Sequence, residues 1–117
     1  MTGNAMCLFC RIASGEIPAK KLVDDPDVVA FQDVNPQAPS HVLVIPRKHI
    51  PSLDDLTDAD ASMIGHTLVR ATRLARELNL ADDGYRVVIN NGPGAGQSVF
   101  HIHVHVLGGR PFRWPPG

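Results

Sequence analysis

The run His101-Ile102-His103-Val104-His105-Val106 carries an imidazole at every second position. On an extended strand that period sends the three imidazoles to one face and Ile102, Val104 and Val106 to the other. Side-chain packing gives no reason to align three histidines, but two chemistries do. Histidines at i and i+2 can chelate zinc in an open catalytic site. Alternatively, a neutral imidazole attacks phosphorus while its neighbours fix its tautomer and stabilise the charge that develops. The preceding stretch, Asn90-Asn91-Gly92-Pro93-Gly94-Ala95-Gly96-Gln97-Ser98, favours phosphorus, because glycines let bare backbone N–H groups approach an anionic oxygen closely. It is not a P-loop: no Lys-Ser/Thr pair follows, the next element reads as a strand, and no Lys or Arg lies between Val87 and Gly109. A single phosphoryl group suits this cradle better than a magnesium-bound triphosphate.

The elements that must position these groups are legible from turn residues and periodicity. Leu8 to Ala13 reads as a short helix, stopped by Ser14-Gly15 and by Ile17-Pro18. Lys21 to Asp24 and Val28 to Gln32 flank the turn Asp25-Pro26-Asp27 and predict an antiparallel hairpin. His41 to Ile45 is a third strand, Tyr85 to Asn90 a fourth and Val99 to Leu107 a fifth. Between the third and fourth, Ile64, Leu68, Ala71, Ala75 and Leu78 recur at helical spacing behind the cap-like Thr57-Asp58-Ala59-Asp60, predicting one long amphipathic helix over Asp58 to Leu78. Hairpins in sequence with one inserted helix indicate an α+β antiparallel meander rather than a doubly wound sheet. Phe112 to Gly117, with Pro115 and Pro116, cannot extend a strand, and 108–117 is expected to dock as a tail at the active site or a dimer interface.

Composition narrows the function classes. The 117 residues form one domain, with residues 1–6 expected to be flexible. Eleven Lys+Arg against twelve Asp+Glu give a formal charge of −1, which argues against a nucleic-acid partner bound by bulk positive charge. No segment reaches the roughly 18 apolar residues of a membrane span, and two cysteines three positions apart cannot make a secreted disulfide framework, so a cytoplasmic address is expected. The pair Cys7-Leu-Phe-Cys10 reads as half of a zinc site, with a redox disulfide or two half-buried thiols as the other readings.

Gly96-Gln-Ser-Val-Phe-His-Ile-His-Val-His-Val-Leu107, the upstream Phe31-Gln-Asp-Val-Asn-Pro-Gln-Ala-Pro-Ser-His-Val-Leu-Val-Ile-Pro46 and the ending Trp114-Pro-Pro-Gly117 together resemble the histidine triad superfamily. The resemblance is to its nucleotide-binding Hint branch, in the bacterial form that carries Cys-x-x-Cys, and it runs from about Cys7 to Gly117. It implies a five-stranded antiparallel sheet with two helices and a homodimer with one continuous sheet. The activity implied is hydrolysis of purine nucleoside 5′-phosphoramidates through a covalent nucleotidyl-histidine. By position, His103 would be the nucleophile, His105 would stabilise the phosphoryl oxygens, and His41 would orient His103. Ser98 would bind phosphate and help protonate the leaving amine. Asn90 and Gln97, with the Gly96 and Val99 backbone, would complete the phosphate site, and Asp33 would hold the ribose hydroxyls. Leu8, Phe9, Ile12, Phe31 and Val34 would form the base pocket, and Trp114 would reach toward the partner's site. His49 and His101 would join Cys7 and Cys10 around a structural zinc, with no catalytic metal. Two other activities remain open at this stage: a dinucleoside polyphosphate hydrolase, or chiefly a nucleotide-binding and interaction module. A zinc hydrolase with the triad as ligands is the least favoured reading.

Overall fold

The computed structural model describes residues 4–117; residues 1–3, half of the segment expected to be flexible, lie outside the described residues. Residues 4–6 form a turn in which Asn4 accepts from Met6 N–H and Cys7 N–H. Five strands make one antiparallel sheet: β1 (Lys21–Asp24), β2 (Val28–Gln32), β3 (Ser40–Pro46), β4 (Tyr85–Val88) and β5 (Val104–Gly108), in the order β1-β2-β3-β5-β4. The two central strands, β3 and β5, align Leu43 with His105 and Val44 with Val104. β1 and β4 are the edges.

Strand alternation divides the core between the two faces. Val28, Ala30, Val42, Val44, Val104 and Val106 pack beneath Ala71, Leu74 and Ala75 of the long helix α2 (Ala61–Glu77). On the opposite face Val29, Phe31, Leu43 and Ile45 pack against Phe9, Ile12 and Ala13 of α1 (Leu8–Ala13), with Phe9 meeting Phe31 edge to face at 5.3 Å. α1 is much shorter than the sheet it covers, and this face stays partly open. It begins at Cys7, whose Sγ accepts the Cys10 N–H, and ends where Gly15 adopts φ +85°, a geometry that favours glycine.

Three elements differ from the sequence reading by two residues or more, the first being β4, which stops at Val88 and not at the expected Asn90. Asp58–Asp60 form a 3₁₀ turn, not the first turn of α2; the Asp60 carboxylate accepts the Thr57 N–H at 2.9 Å and pairs with Lys48 at 2.7 Å. The buried stripe of α2 is Thr67, Arg70, Ala71, Leu74 and Ala75, while Leu68, expected inside, is 37% exposed. Arg70 occupies a core position because its guanidinium pairs with Asp25 at 3.0 Å and Glu77 at 3.2 Å, which satisfies the charge as its stem is buried. β5 begins at Val104 rather than Val99. Ile102 N–H donates to the Ile50 carbonyl at 2.7 Å, so the chain just before Val104 is tied to Ile50 and is not paired in the sheet.

Candidate active site and metal centre

A cavity of about 750 Å³ opens between α1 and the sheet. Its lining combines apolar side chains, Leu8, Phe9, Ile12, Ile17, Phe31 and Leu43, with polar ones, Asp33, His41, Ser98, His103 and His105. Such a mixed lining suits a ligand that has both a flat apolar part and an anionic part. Sequence reasoning missed the wall of residues 17–20, including Lys20, because nothing in their spacing signals a ligand contact. Val34, expected in the base pocket, borders the cavity but is fully exposed and encloses nothing.

The late start of β5 divides the histidine row. His103 and His105 face the cavity, whereas His101 is fully buried away from it beside the cysteines. The hydrogen bonds then assign every tautomer. His103 Nδ1 lies 2.7 Å from the His101 carbonyl oxygen, which can only accept, so Nδ1 carries the proton and Nε2 keeps a free lone pair. Phe9 packs edge-on against the same ring at 5.0 Å and fixes its plane. On His41, Nδ1 accepts the Gln37 N–H at 3.0 Å, so Nε2 bears the hydrogen, and its nearest acceptor is His105 Nδ1 at 2.9 Å. His105 therefore presents Nε2–H. His41 thus orients His105 and not His103, correcting the expectation from sequence; the His101 backbone orients His103. Gln37, a residue not singled out from sequence, starts this chain of hydrogen bonds.

Burial pulls His105 down to about 4, with the neighbouring His103 and His41 adding to the effect, and burial likewise lowers His41 against the opposing pull of Asp33. His105 is thus a neutral N–H donor near pH 7. Asp33 makes two contacts: one oxygen accepts the Asn35 N–H at 2.8 Å in a turn, and the other lies 3.4 Å from His41 Nε2 at the cavity wall.

The glycine loop is braced from within. The Gln97 side chain accepts from Gly92 N–H at 2.8 Å and donates to the Pro51 and Val99 carbonyls at 2.7 and 3.1 Å. It is buried and fully committed, so Gln97 holds the loop's shape rather than a ligand, contrary to expectation. The Gly96 N–H is also used, by Pro93 O at 3.0 Å, while no hydrogen bond among the described residues engages the Ser98 or Val99 amide. Those two amides, with Ser98 Oγ, are the donors left for an anion. Asn90 and Trp114 do not border the cavity. The tail instead docks through Phe112, whose ring lies under Arg110 and Arg86 at 4.3 and 5.1 Å, leaving Trp114 84% exposed.

Cys7, Cys10, His49 and His101 converge with their ligating atoms within 4.8 Å of one another. Both histidines offer Nδ1: His101 Nδ1 lies 3.5 Å from Cys7 Sγ and 3.4 Å from Cys10 Sγ, and His49 Nδ1 lies 3.3 Å from Cys10 Sγ. A tetrahedral zinc with ordinary bond lengths has sulfur–nitrogen edges of about 3.5 Å, so this set fits one. His101 Nε2–H donates to the Pro46 carbonyl at 2.7 Å, the outer contact that fixes a ligating imidazole. Asp33, His41 and His105 also cluster, but their imidazole nitrogens at 2.9 Å are closer than the roughly 3.3 Å edge between two histidines on one zinc. That spacing is a hydrogen bond.

Comparison with known proteins agrees with this geometry. The HIT domain model matches residues 14–112. An uncharacterised HIT-like protein of Synechocystis is 51% identical over 110 residues, spanning 94% of this chain and 96% of that protein. A HIT family hydrolase from Legionella pneumophila superposes with a TM-score of 0.93 at 50% identity, covering 95% of this chain and 99% of the other. A histidine triad nucleotide-binding protein from Candida albicans does so at 0.78 and 33% identity, covering 95% and 84%. With its sheet order, its divided histidine row and these relatives in agreement, the chain belongs to the HIT domain family.

Proposed function

We propose that the protein hydrolyses purine nucleoside 5′-phosphoramidates through a nucleotidyl-His103 intermediate. The observation that carries this reading is the pair of opposite tautomers on adjacent imidazoles: His103 offers a lone pair where His105 offers an N–H. A nucleophile and a neutral oxyanion donor are thereby aimed into the same cavity. In the first step His103 Nε2 bonds to the α-phosphorus and the phosphorus–amine bond breaks. The amine departs with a proton passed through the Ser98 hydroxyl. The His101 carbonyl supports the positive charge that grows on the imidazole, and His105 Nε2–H with the Ser98 and Val99 amides receives the phosphoryl oxygens. Water then adds to phosphorus, its released proton replacing the one that Ser98 Oγ gave to the amine, and the His103–phosphorus bond breaks, releasing the nucleoside monophosphate and restoring the lone pair. Asp33 holds the ribose hydroxyls, and the apolar side chains of Phe9, Ile12 and Phe31 take the purine.

The hydrolase and nucleotide-binding relatives support the same reading. Lys20 is the only Lys or Arg among the described residues bordering the cavity, which favours one phosphoryl group over a dinucleoside polyphosphate. Cys7, Cys10, His49 and His101 would hold a structural zinc that pins α1 to the segment before β5; with four protein ligands such a site has no open position for substrate. A homodimer with a continuous sheet is supported by the free edge of β4, where Val87 is 41% exposed, and by Trp114, which stands clear of its own cavity. A reducing cytoplasm, where the thiol pair stays available for metal, and the absence of nucleic-acid or membrane partners complete the proposal; no described helix is long and apolar enough to cross a membrane.

The test is turnover of adenosine 5′-phosphoramidate, with rapid quench and intact mass spectrometry to capture an adenylylated chain. Wild type should carry the adduct and His103→Ala should neither carry it nor turn over. Absence of turnover by the folded wild type would refute the assignment.

A further inference from the structure

β5 ends at Gly108, and the chain then passes close over the loop between β2 and β3. Gly109 has φ +90°, and a Cβ there would stand 2.9 Å from Cβ of Pro39, so glycine is what allows the crossing. The next residue, Arg110, reaches Gln37. Its Nε–H donates to the Gln37 carbonyl at 3.1 Å, a terminal nitrogen donates to the Pro111 carbonyl at 3.0 Å, and the guanidinium carbon lies 4.3 Å from the centre of the Phe112 ring. Gln37 is the residue that starts the chain of imidazole hydrogen bonds: its N–H reaches His41 Nδ1 at 3.0 Å, and its side-chain Nε2 donates to the Asn35 carbonyl at 3.0 Å. Among the described residues, Arg110 supplies the only hydrogen bond to Gln37 that comes from outside residues 33–41.

We propose that Arg110 is a positioning residue for the reaction: by bracing the Gln37 backbone it keeps the Gln37 N–H on His41 Nδ1, and so keeps the proton of His105 on Nε2, facing the phosphoryl group. Its catalytic consequence rests on the phosphoramidase reading; its effect on the tautomers does not. Fixing the carbonyl on one side of the Gln37 Cα limits how far the N–H on the other side can swing away from His41. Once that N–H leaves, His41 can carry its proton on Nδ1 and accept from His105 Nδ1–H through Nε2. The relay is then reversed, and His105 offers a lone pair where the phosphoryl oxygen needs a donor. An arginine suits the brace because its planar fork donates in plane through Nε while its face stacks on Phe112, which a lysine ammonium cannot do. Arg86 provides an internal comparison. It reaches the same ring at 5.1 Å and donates to the Arg113 carbonyl at 2.9 Å, tying the tail to β4 without a hydrogen bond to Gln37.

The experiment compares wild type, Arg110→Ala and Arg86→Ala. Arg110 is exposed, so its truncation should leave the fold intact. Imidazole ¹⁵N shifts of the substrate-free protein read the tautomers directly: wild type and Arg86→Ala should both show His105 with its proton on Nε2, and Arg110→Ala should move a measurable fraction to Nδ1. With adenosine 5′-phosphoramidate, Arg110→Ala should lower kcat roughly 3- to 10-fold with KM nearly unchanged, the effect of a loosened rather than a deleted hydrogen bond. Arg86→Ala should stay within twofold of wild type. Unchanged His41 and His105 shifts in Arg110→Ala overturn the brace, as does a kcat within twofold of wild type; Arg86→Ala as slow as Arg110→Ala also overturns it, because order in the tail would then be the whole effect. If the shifts move as expected but wild type turns nothing over, the phosphoramidase reading fails while the bracing of the tautomers is upheld.

Discussion

Replacing His41 with leucine tests whether catalysis depends on a tautomer set two residues away from the phosphate. His41 is 7% exposed, and leucine fills a similar volume, so the fold should persist while His105 Nδ1 loses the donor now 2.9 Å away. His105 can then keep its proton on Nε2 with an unpaired Nδ1, or move the proton to Nδ1 and present a lone pair to the phosphoryl oxygen. Losing an oxyanion donor outright costs about 10²- to 10³-fold in kcat. Returning the proton to Nε2 in the transition state costs less, about 1–2 kcal/mol for one unmade hydrogen bond. The cheaper route governs, so kcat should fall roughly 5- to 30-fold with KM nearly unchanged. His41→Gln retains a side-chain N–H able to reach Nδ1 and should recover much of the loss. Single-turnover amine release measures the step directly, and the ¹⁵N shifts of His105 should report a change from the Nε2–H tautomer in the leucine variant only. A leucine variant within twofold of wild type, or a glutamine variant as slow as leucine, would refute the relay.

Two further outcomes follow from the buried groups. Metal analysis of freshly purified protein should find one zinc per chain, and its removal by a strong chelator, or Cys10→Ser, should lower Tm by roughly 10 °C or more, because α1 loses its tie to residues 49 and 101; an unchanged Tm after verified removal contradicts a structural role. The pH dependence of stability has a fixed sign: His105 titrates at about 4 when folded against 6.5 for the free side chain, so between those values the unfolded chain binds more protons. Stability should therefore be flat above about pH 7 and fall as pH drops toward 4, by up to about 3 kcal/mol from this residue, with lowered His41 adding in the same direction. Urea midpoints from pH 7.5 to 4.5 measure this, and a profile that rises on acidification would contradict it.

The local order of the chain was readable where turn chemistry is strong. Proline, glycine and aspartate bracket β1, β2 and α1, and those three elements have the predicted ends. Where alternation alone set the boundary the reading overran: the His-x-His-x-His period looks like strand throughout, yet Ile102 bonds to Ile50, and only the part from Val104 pairs in the sheet. Helical periodicity placed α2 but not its inner face, since a buried Arg70 is invisible to an apolar count until Asp25 and Glu77 are known to stand beside it. The three alternating histidines and the cysteine pair stood out by residue type and spacing, whereas Ser98, Asp33, His41 and the convergence of His49 and His101 with the cysteines were expected only from the family resemblance. Which nitrogen bears each proton was legible from neither, because that depends on backbone groups, the Gln37 N–H and the His101 carbonyl, that every sequence possesses.

His101 contributes two atoms to two neighbouring tasks, and only one belongs to its side chain. The carbonyl that holds His103 would be present whatever residue stood at position 101, provided the backbone kept its course; the imidazole faces the thiols. Substituting the side chain and displacing the peptide are therefore separable injuries. A chain could change its first triad residue and keep His103 correctly turned, as long as the Ile102 to Ile50 hydrogen bond still anchored the peptide. The division leaves the imidazole at 101 able to face the thiols without disturbing the carbonyl contact that turns His103.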